Sequence, residues 1–268
     1  MPAASITQRR DNLARLRGSL SAHCAPDAAR TNAAQRLAAT MPLSHTTTIG
    51  NLKQILVSGA LLSQAQVGGR LGSAELLLET TDDVFLYLGA FSYPDTECGF
   101  LFVPSLETGH QDHGISTPFD SGALASKLTP PAPYTDGVSF VRDHELPVSD
   151  YRTLLSTIIS DYSRSMNDYI YDPDRFACAC GVVRAHPFGL VGGNRRAASF
   201  EVRIPQRVPL RPPHLRAVFV RKGYELPELS DLFSSGVPIE RYEADNEADY
   251  FHALRTACIS FIRDHLIP

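Results

Sequence analysis

Apolar residues at helical spacing mark both ends of the chain and one long central stretch. Near the start, Ile6, Leu13, Leu16 and Leu20 fall on one face of a helix predicted over residues 5–21, with Ser5 and Gln8 spaced as a capping box. Asp27, after Pro26, begins a second, Ala-rich helix that runs to about Thr40. Ser149 caps a long helix predicted to reach about Tyr171. Its apolar face is Tyr151, Leu154, Leu155, Ile158, Ile159, Tyr162, Met166 and Tyr169, and Asp172-Pro173-Asp174 ends it. A closing helix carries Tyr250, Phe251, Leu254, Cys258, Phe261, Ile262 and Leu266 on one stripe, with Asn246 and Asp249 placed to cap it.

Between these helices the period changes to that of strands. Glu75–Glu79, Val84–Phe91 and Gly99–Val103 read as three of them. Val84 to Gly89 is apolar nearly throughout, which suits a strand buried on both faces; Tyr87, near its end, either fills core or stacks on a flat ring. The stretch from Glu107 to Pro133 reads as one long loop in which Asp120 caps a turn at Ser121 while Phe119 packs inward. After a Gly-rich loop from His186 to Arg196, residues Ala198 to Ile204 alternate. Phe200, Val202 and Ile204 share one face, and Ser199, Glu201 and Arg203 share the other, which is either a polar site face or the outside of a solvated edge strand. Pro205 closes that strand, Leu215–Arg221 supplies the next, and the chain beyond Gly223 is acidic and loop-like until the last helix. With no internal repeat and no linker, the pattern gives a single α+β domain over residues 41–268 preceded by a helical N-terminal extension over 1–40.

Composition narrows the class. At 43% hydrophobic and 20% charged residues the chain is an ordinary globular protein, and no apolar run approaches the roughly 18 residues of a membrane span. Five scattered cysteines, Cys24, Cys98, Cys178, Cys180 and Cys258, point to reduced thiols and a cytoplasmic location; Cys178-Ala179-Cys180 alone is weak as a metal motif. The net charge of −4 hides an asymmetry. Residues 1–40 hold six Arg and two Asp, a composition shared with organelle transit peptides; a helical arm packed on the domain is the preferred reading, with a partly mobile arm as the alternative. The remainder, with 19 basic and 27 acidic side chains, is too acidic for a general nucleic-acid binder. Within it, Asn194 to Lys222 holds eight basic residues and one acid, Glu201, a single carboxylate in a basic segment that raises the question of an anionic ligand.

Two stretches carry candidate chemistry. His45-Thr46-Thr47-Thr48 stands before a short amphipathic turn with Leu52, Ile55 and Leu56 on its apolar face and Gly59 at its stop. Hydroxyls, a His and Asn51 at a helix start make directional donors for a polar ligand, although any strand-to-helix joint can read this way. His110, Asp112 and His113 form a partial metal-ligand set, but H-x-x-H without an accompanying Glu lacks the spacing that puts both rings on one helix face.

The pattern His45-Thr46-Thr47, Asn51-Leu52, Ile55-Leu56, Gly59, Leu61 resembles the opening motif of DarT-type ADP-ribosyltransferases, and Glu201-Val202-Arg203-Ile204-Pro205-Gln206-Arg207-Val208-Pro209 is similar to the strand bearing that family's catalytic glutamate. The arginine-bearing segment that follows the first motif in the family has no counterpart; Val84–Phe91 stands roughly in its place. The resemblance implies an α+β fold on a split, mixed or antiparallel sheet, with NAD consumed as substrate and no metal. It makes Glu201 the catalytic carboxylate, His45 a contact of the adenosine ribose, and Thr46, Thr47 and Asn51 contacts of the nicotinamide side or the diphosphate. Tyr87 would stack on a ring, and Arg195 or Arg196 would neutralise the diphosphate. As partners it implies a nucleic-acid or other macromolecular acceptor and a cognate antitoxin or immunity protein, as for a bacterial toxin or phage-defence effector. An RNA 2′-phosphotransferase on the same fold, a non-catalytic interaction protein, and a metal-dependent hydrolase using His110, Asp112 and His113 are the alternatives.

Overall fold

Eight strands join into one mainly antiparallel sheet in the computed structural model, which describes residues 3–21, 28–91, 93, 95–126, 130, 133–161 and 200–266. In chain order these are β1 (Leu43–Thr47), β3 (Asp83–Leu88), β4 (Cys98–Phe102), β5 (Ile115–Thr117), β6 (Leu146–Pro147), β7 (Glu201–Pro205), β9 (Leu215–Arg221) and β10 (Ile239–Tyr242). They lie in the order β10-β9-β4-β1-β3-β7-β5-β6, and among the described residues β9 and β10 form the parallel pair. A separate ribbon pairs β2 (Ala60–Leu62) with β8 (Arg207–Pro209).

Helices cover the two ends of this sheet. The first two, α1 (Ile6–Ser21) and α2 (Ala28–Thr40), pack with α8 (Tyr151–Asp161), and α1 also meets β6. Ser5 Oγ accepts the Gln8 N–H at 3.2 Å, the first half of the expected capping box. The arm is tied down by polar contacts as well. Arg9 donates to the carbonyls of Gly114 and Asp112, and Asn12 donates to those of Arg142 and Glu145. Arg152 on α8 makes two bonds to Glu107, at 2.8 and 2.7 Å, and donates to the carbonyls of Ala38 and Met41 at the end of α2. At the far end α10 (Tyr250–His265) buries Leu254, Cys258, Phe261 and Ile262, with Phe261 edge-on to Phe219 of β9. The two described cysteines, Cys98 and Cys258, are buried free thiols whose pKa burial pushes up to about 12. Among the described residues no helix is long and apolar enough to cross a membrane.

Several expectations need correction. Glu75–Glu79 is not a strand but the end of α5 (Ser73–Leu78): its leucines are unbranched at Cβ and suit a helix, Leu76 and Leu77 remain exposed, and Glu79 stops the helix in the left-handed region at φ 52°. The span 107–133 is not one loop. It contains the end of a 3-10 turn (Pro104–His110), β5 and α6 (Ser121–Ser126), each too short to show a period. The acidic stretch after Gly223 contains α9 (Pro227–Ser234), which starts at a proline, and β10. Ser149 does not cap α8; its hydroxyl donates to the Asp150 carboxylate. Asp27, the surroundings of Leu20, the expected course of the long helix from Tyr162 to Tyr171 and the expected Gly-rich loop lie outside the described residues.

Candidate active site

The site forms where the sheet ladder opens. Strands β1 and β3 share two paired positions, Leu43 with Leu88 and Ser44 with Tyr87; beyond Ser44, β1 pairs with β4 alone and β3 continues on β7. The Phe85 carbonyl, which a continued ladder would use, is instead met by His45 Nδ1 at 2.9 Å. A carbonyl can only accept, so Nδ1 carries the proton and a neutral ring keeps its lone pair on Nε2. Burial lowers the His45 pKa, which favours that neutral ring.

The expected joint follows. Helix α3 (Ile49–Ser58) starts after Thr48, buries Leu52 and Leu56, and ends at Gly59, whose φ of 64° is readily available to glycine. Thr48 makes no side-chain cap bond; Ile49 N–H is instead taken by Glu97 at 3.0 Å.

On the far side, β7 is an interior strand, so the solvated-edge reading of its polar face is wrong. Glu201 stands between Tyr87 of β3 and Thr117 of β5, and Glu201 and Arg203 are each 1% exposed. Buried carboxylates need partners. Ser121 supplies two, its Oγ donating to Glu201 Oε1 at 2.5 Å and its N–H to Oε2 at 3.3 Å, while Arg203 Nε lies 3.8 Å from Oε1. Arg203 is shared with Glu145, which also binds Arg142 and, through Oε2, the Ala4 N–H at 2.7 Å. Desolvation, then the nearby Asp120 charge, push the Glu201 pKa up to about 8 against the pull of Arg203 and Ser121.

A raised folded pKa has a defined consequence. Glu201 contributes stability that is fully present below its unfolded value near 4.5 and is lost as pH climbs toward about 8. The expected result is that the melting temperature of the wild type falls relative to that of Glu201→Gln between pH 5 and 8.5, measured by thermal denaturation. Parallel curves would remove the case for a raised pKa.

His45, Thr46, Phe85, Tyr87, Asp120 and Glu201 line one cavity of about 210 Å³, with Tyr93 and Thr80 in its wall. His45 and Thr46 also line a groove of about 670 Å³ that runs on past Thr47, Asn51 and Gln54. The structure thus brings His45, Thr46, Tyr87 and Glu201 together and puts Thr47 and Asn51 in the adjoining groove. Arg195 and Arg196 lie outside the described residues. Sequence reasoning recognised Asp120 as a cap, and Asp120 Oδ1 does accept the Ala123 N–H at 2.9 Å, but it missed Tyr93 and Ser121. Tyr87 OH donates to Tyr93 OH at 2.5 Å, and Tyr93 OH donates to Asp120 Oδ2 at 3.0 Å. Single residues joined only by long-range folding leave no periodic signal; the cap pattern at Asp120 was the available clue. Among the described residues no group of three or more His, Cys, Asp or Glu could hold a metal ion, so His110, Asp112 and His113 do not form one.

No protein-family model matches the chain, and no curated protein matches it. Among solved structures it is similar to DarT of Thermus sp. 2.9 in complex with NAD+, at 14% identity over 78% of this chain and 96% of that one, with a TM-score of 0.40. The carba-NAD+ complex of the same protein gives 15% identity over the same shares, with a TM-score of 0.36.

Proposed function

We propose that the cavity and groove bind NAD and that the protein is an NAD-dependent ADP-ribosyltransferase. The observation that carries this reading is that His45 and Glu201, 156 residues apart in sequence, line one cavity together with Tyr87. Cleaving the nicotinamide–ribose bond builds positive charge on the ribose, as in glycoside hydrolysis, and a buried carboxylate stabilises that charge. Glu201 takes this role. Tyr87 and Phe85 offer faces for the flat nicotinamide ring, and the neutral groove side chains Thr47, Asn51 and Gln54 offer hydrogen bonds to the ADP half.

Ionisation supports the same reading. The free site holds Glu201 above its ordinary pKa, which a purely structural surface does not need. The cationic nicotinamide ring favours the carboxylate, so NAD binding near neutral pH releases a proton. The acceptor in this reading is a macromolecule, nucleic acid among them.

Titration calorimetry tests the binding half. NAD is expected to bind the wild type with proton release, and His45→Ala to weaken binding roughly tenfold through loss of its hydrogen bonds. A wild type that gives no binding signal with NAD refutes the assignment.

A further inference from the structure

We propose that Asp120 is the catalytic base that takes the acceptor's proton, so that the transfer reaches neutral O–H or N–H acceptors. This rests on the reading of the site as one that cleaves NAD.

Asp120 lines the same cavity as Glu201 and is 3% exposed. Its two oxygens are used differently. Oδ1 caps α6 through the Ala123 N–H, a task that one oxygen completes. Oδ2 is held by Tyr93 OH, itself held by Tyr87 OH, so a tyrosine pair fixes its orientation beside the reacting carboxylate. Arg203, the buried cation of this neighbourhood, is engaged by Glu145 and Glu201.

The two carboxylates then divide the chemistry. Glu201 stabilises the cationic ribose while the C1–N bond breaks and its electron pair leaves with neutral nicotinamide. A lone pair of the acceptor's oxygen or nitrogen forms the new bond to C1, and the proton it loses goes to Asp120, which returns it to solvent after product release. A hydroxyl or amide-like N–H needs such a base because its own pKa lies far above neutrality. An anionic acceptor needs none.

Azide distinguishes a base from a structural residue, since it attacks without losing a proton. Nicotinamide release from NAD is measured for the full chain as wild type, Asp120→Asn and Asp120→Ser. Asn retains an oxygen for the Ala123 N–H and Ser is itself a favoured cap, so both keep α6 started. Both variants are expected to hydrolyse NAD about 10²- to 10⁴-fold more slowly. Sodium azide should restore nicotinamide release, with azido-ADP-ribose visible by mass spectrometry, in the Asp120 variants but not in Glu201→Gln. Undiminished hydrolysis in both variants overturns the proposal. Loss without azide rescue, or failure of both variants to fold, also overturns it and makes Asp120 a structural cap. A wild type that cleaves NAD neither in water nor with azide removes the NAD reading itself.

Discussion

Glu201→Gln is expected to lower nicotinamide release from NAD by about 10²- to 10³-fold, equivalent to about 2.7–4 kcal/mol of lost transition-state stabilisation. The substitution keeps volume and shape; the amide oxygen can still accept from the Ser121 N–H while the amide NH2 donates to Ser121 Oγ. What it removes is the negative charge that faces the developing ribose cation. Fold loss is not expected to confuse the result, because the free protein favours a protonated Glu201 that an amide mimics closely. The variant should therefore melt no lower than the wild type, and higher above pH 8. Retained cleavage in a folded Glu201→Gln protein would falsify the assignment of this residue.

The second large effect is on stability. Glu145→Ala is expected to destabilise the fold by about 3–5 kcal/mol, because it leaves two buried guanidiniums without their carboxylate. For a chain of this size that lowers the melting temperature by roughly 6–20 °C. Glu145 is fully buried, holds Arg142 and Arg203 on Oε1 and takes the Ala4 N–H on Oε2. Its loss also frees Arg203 to turn to Glu201, already 3.8 Å away. Glu201 should then ionise at lower pH, and the decline of stability between pH 5 and 8.5 should flatten. Calorimetric melting across that range reads both effects; an unchanged melting temperature would show that the triad adds nothing to the fold.

Long periodic elements were legible and short ones were not. Helix α1, the strand Leu215–Arg221 and the last helix agree with their expected bounds because each repeats its pattern over enough residues to reveal a face, and α2 agrees through its alanine-rich composition. Helix α5, β5 and α6 have three to six residues each, and their place is set by neighbours distant in sequence, such as the pairing of Ile115–Thr117 with Glu201–Arg203. The site divides the same way. His45 and Glu201 stand in recognisable local motifs, and their convergence on one cavity was the open question that the structure answers. The polar face of β7 looked solvated because alternation says which residues share a face and not what covers it. Its cover is the α6 turn and the Arg142–Glu145 pair, supplied by residues 56 to 80 positions upstream of Glu201.

The contact between Ala4 and Glu145 has a consequence for how the chain is made. Ala4 leaves the ribosome 199 residues before Arg203, a wait of roughly 10–40 s at ordinary synthesis rates. Through that interval Leu13 and Leu16 of the arm lack the completed body that buries them, and the seam beside the site has no seventh strand. The arm is thus locked only after β7 has followed it, and the centre beside that seam assembles no earlier than β7.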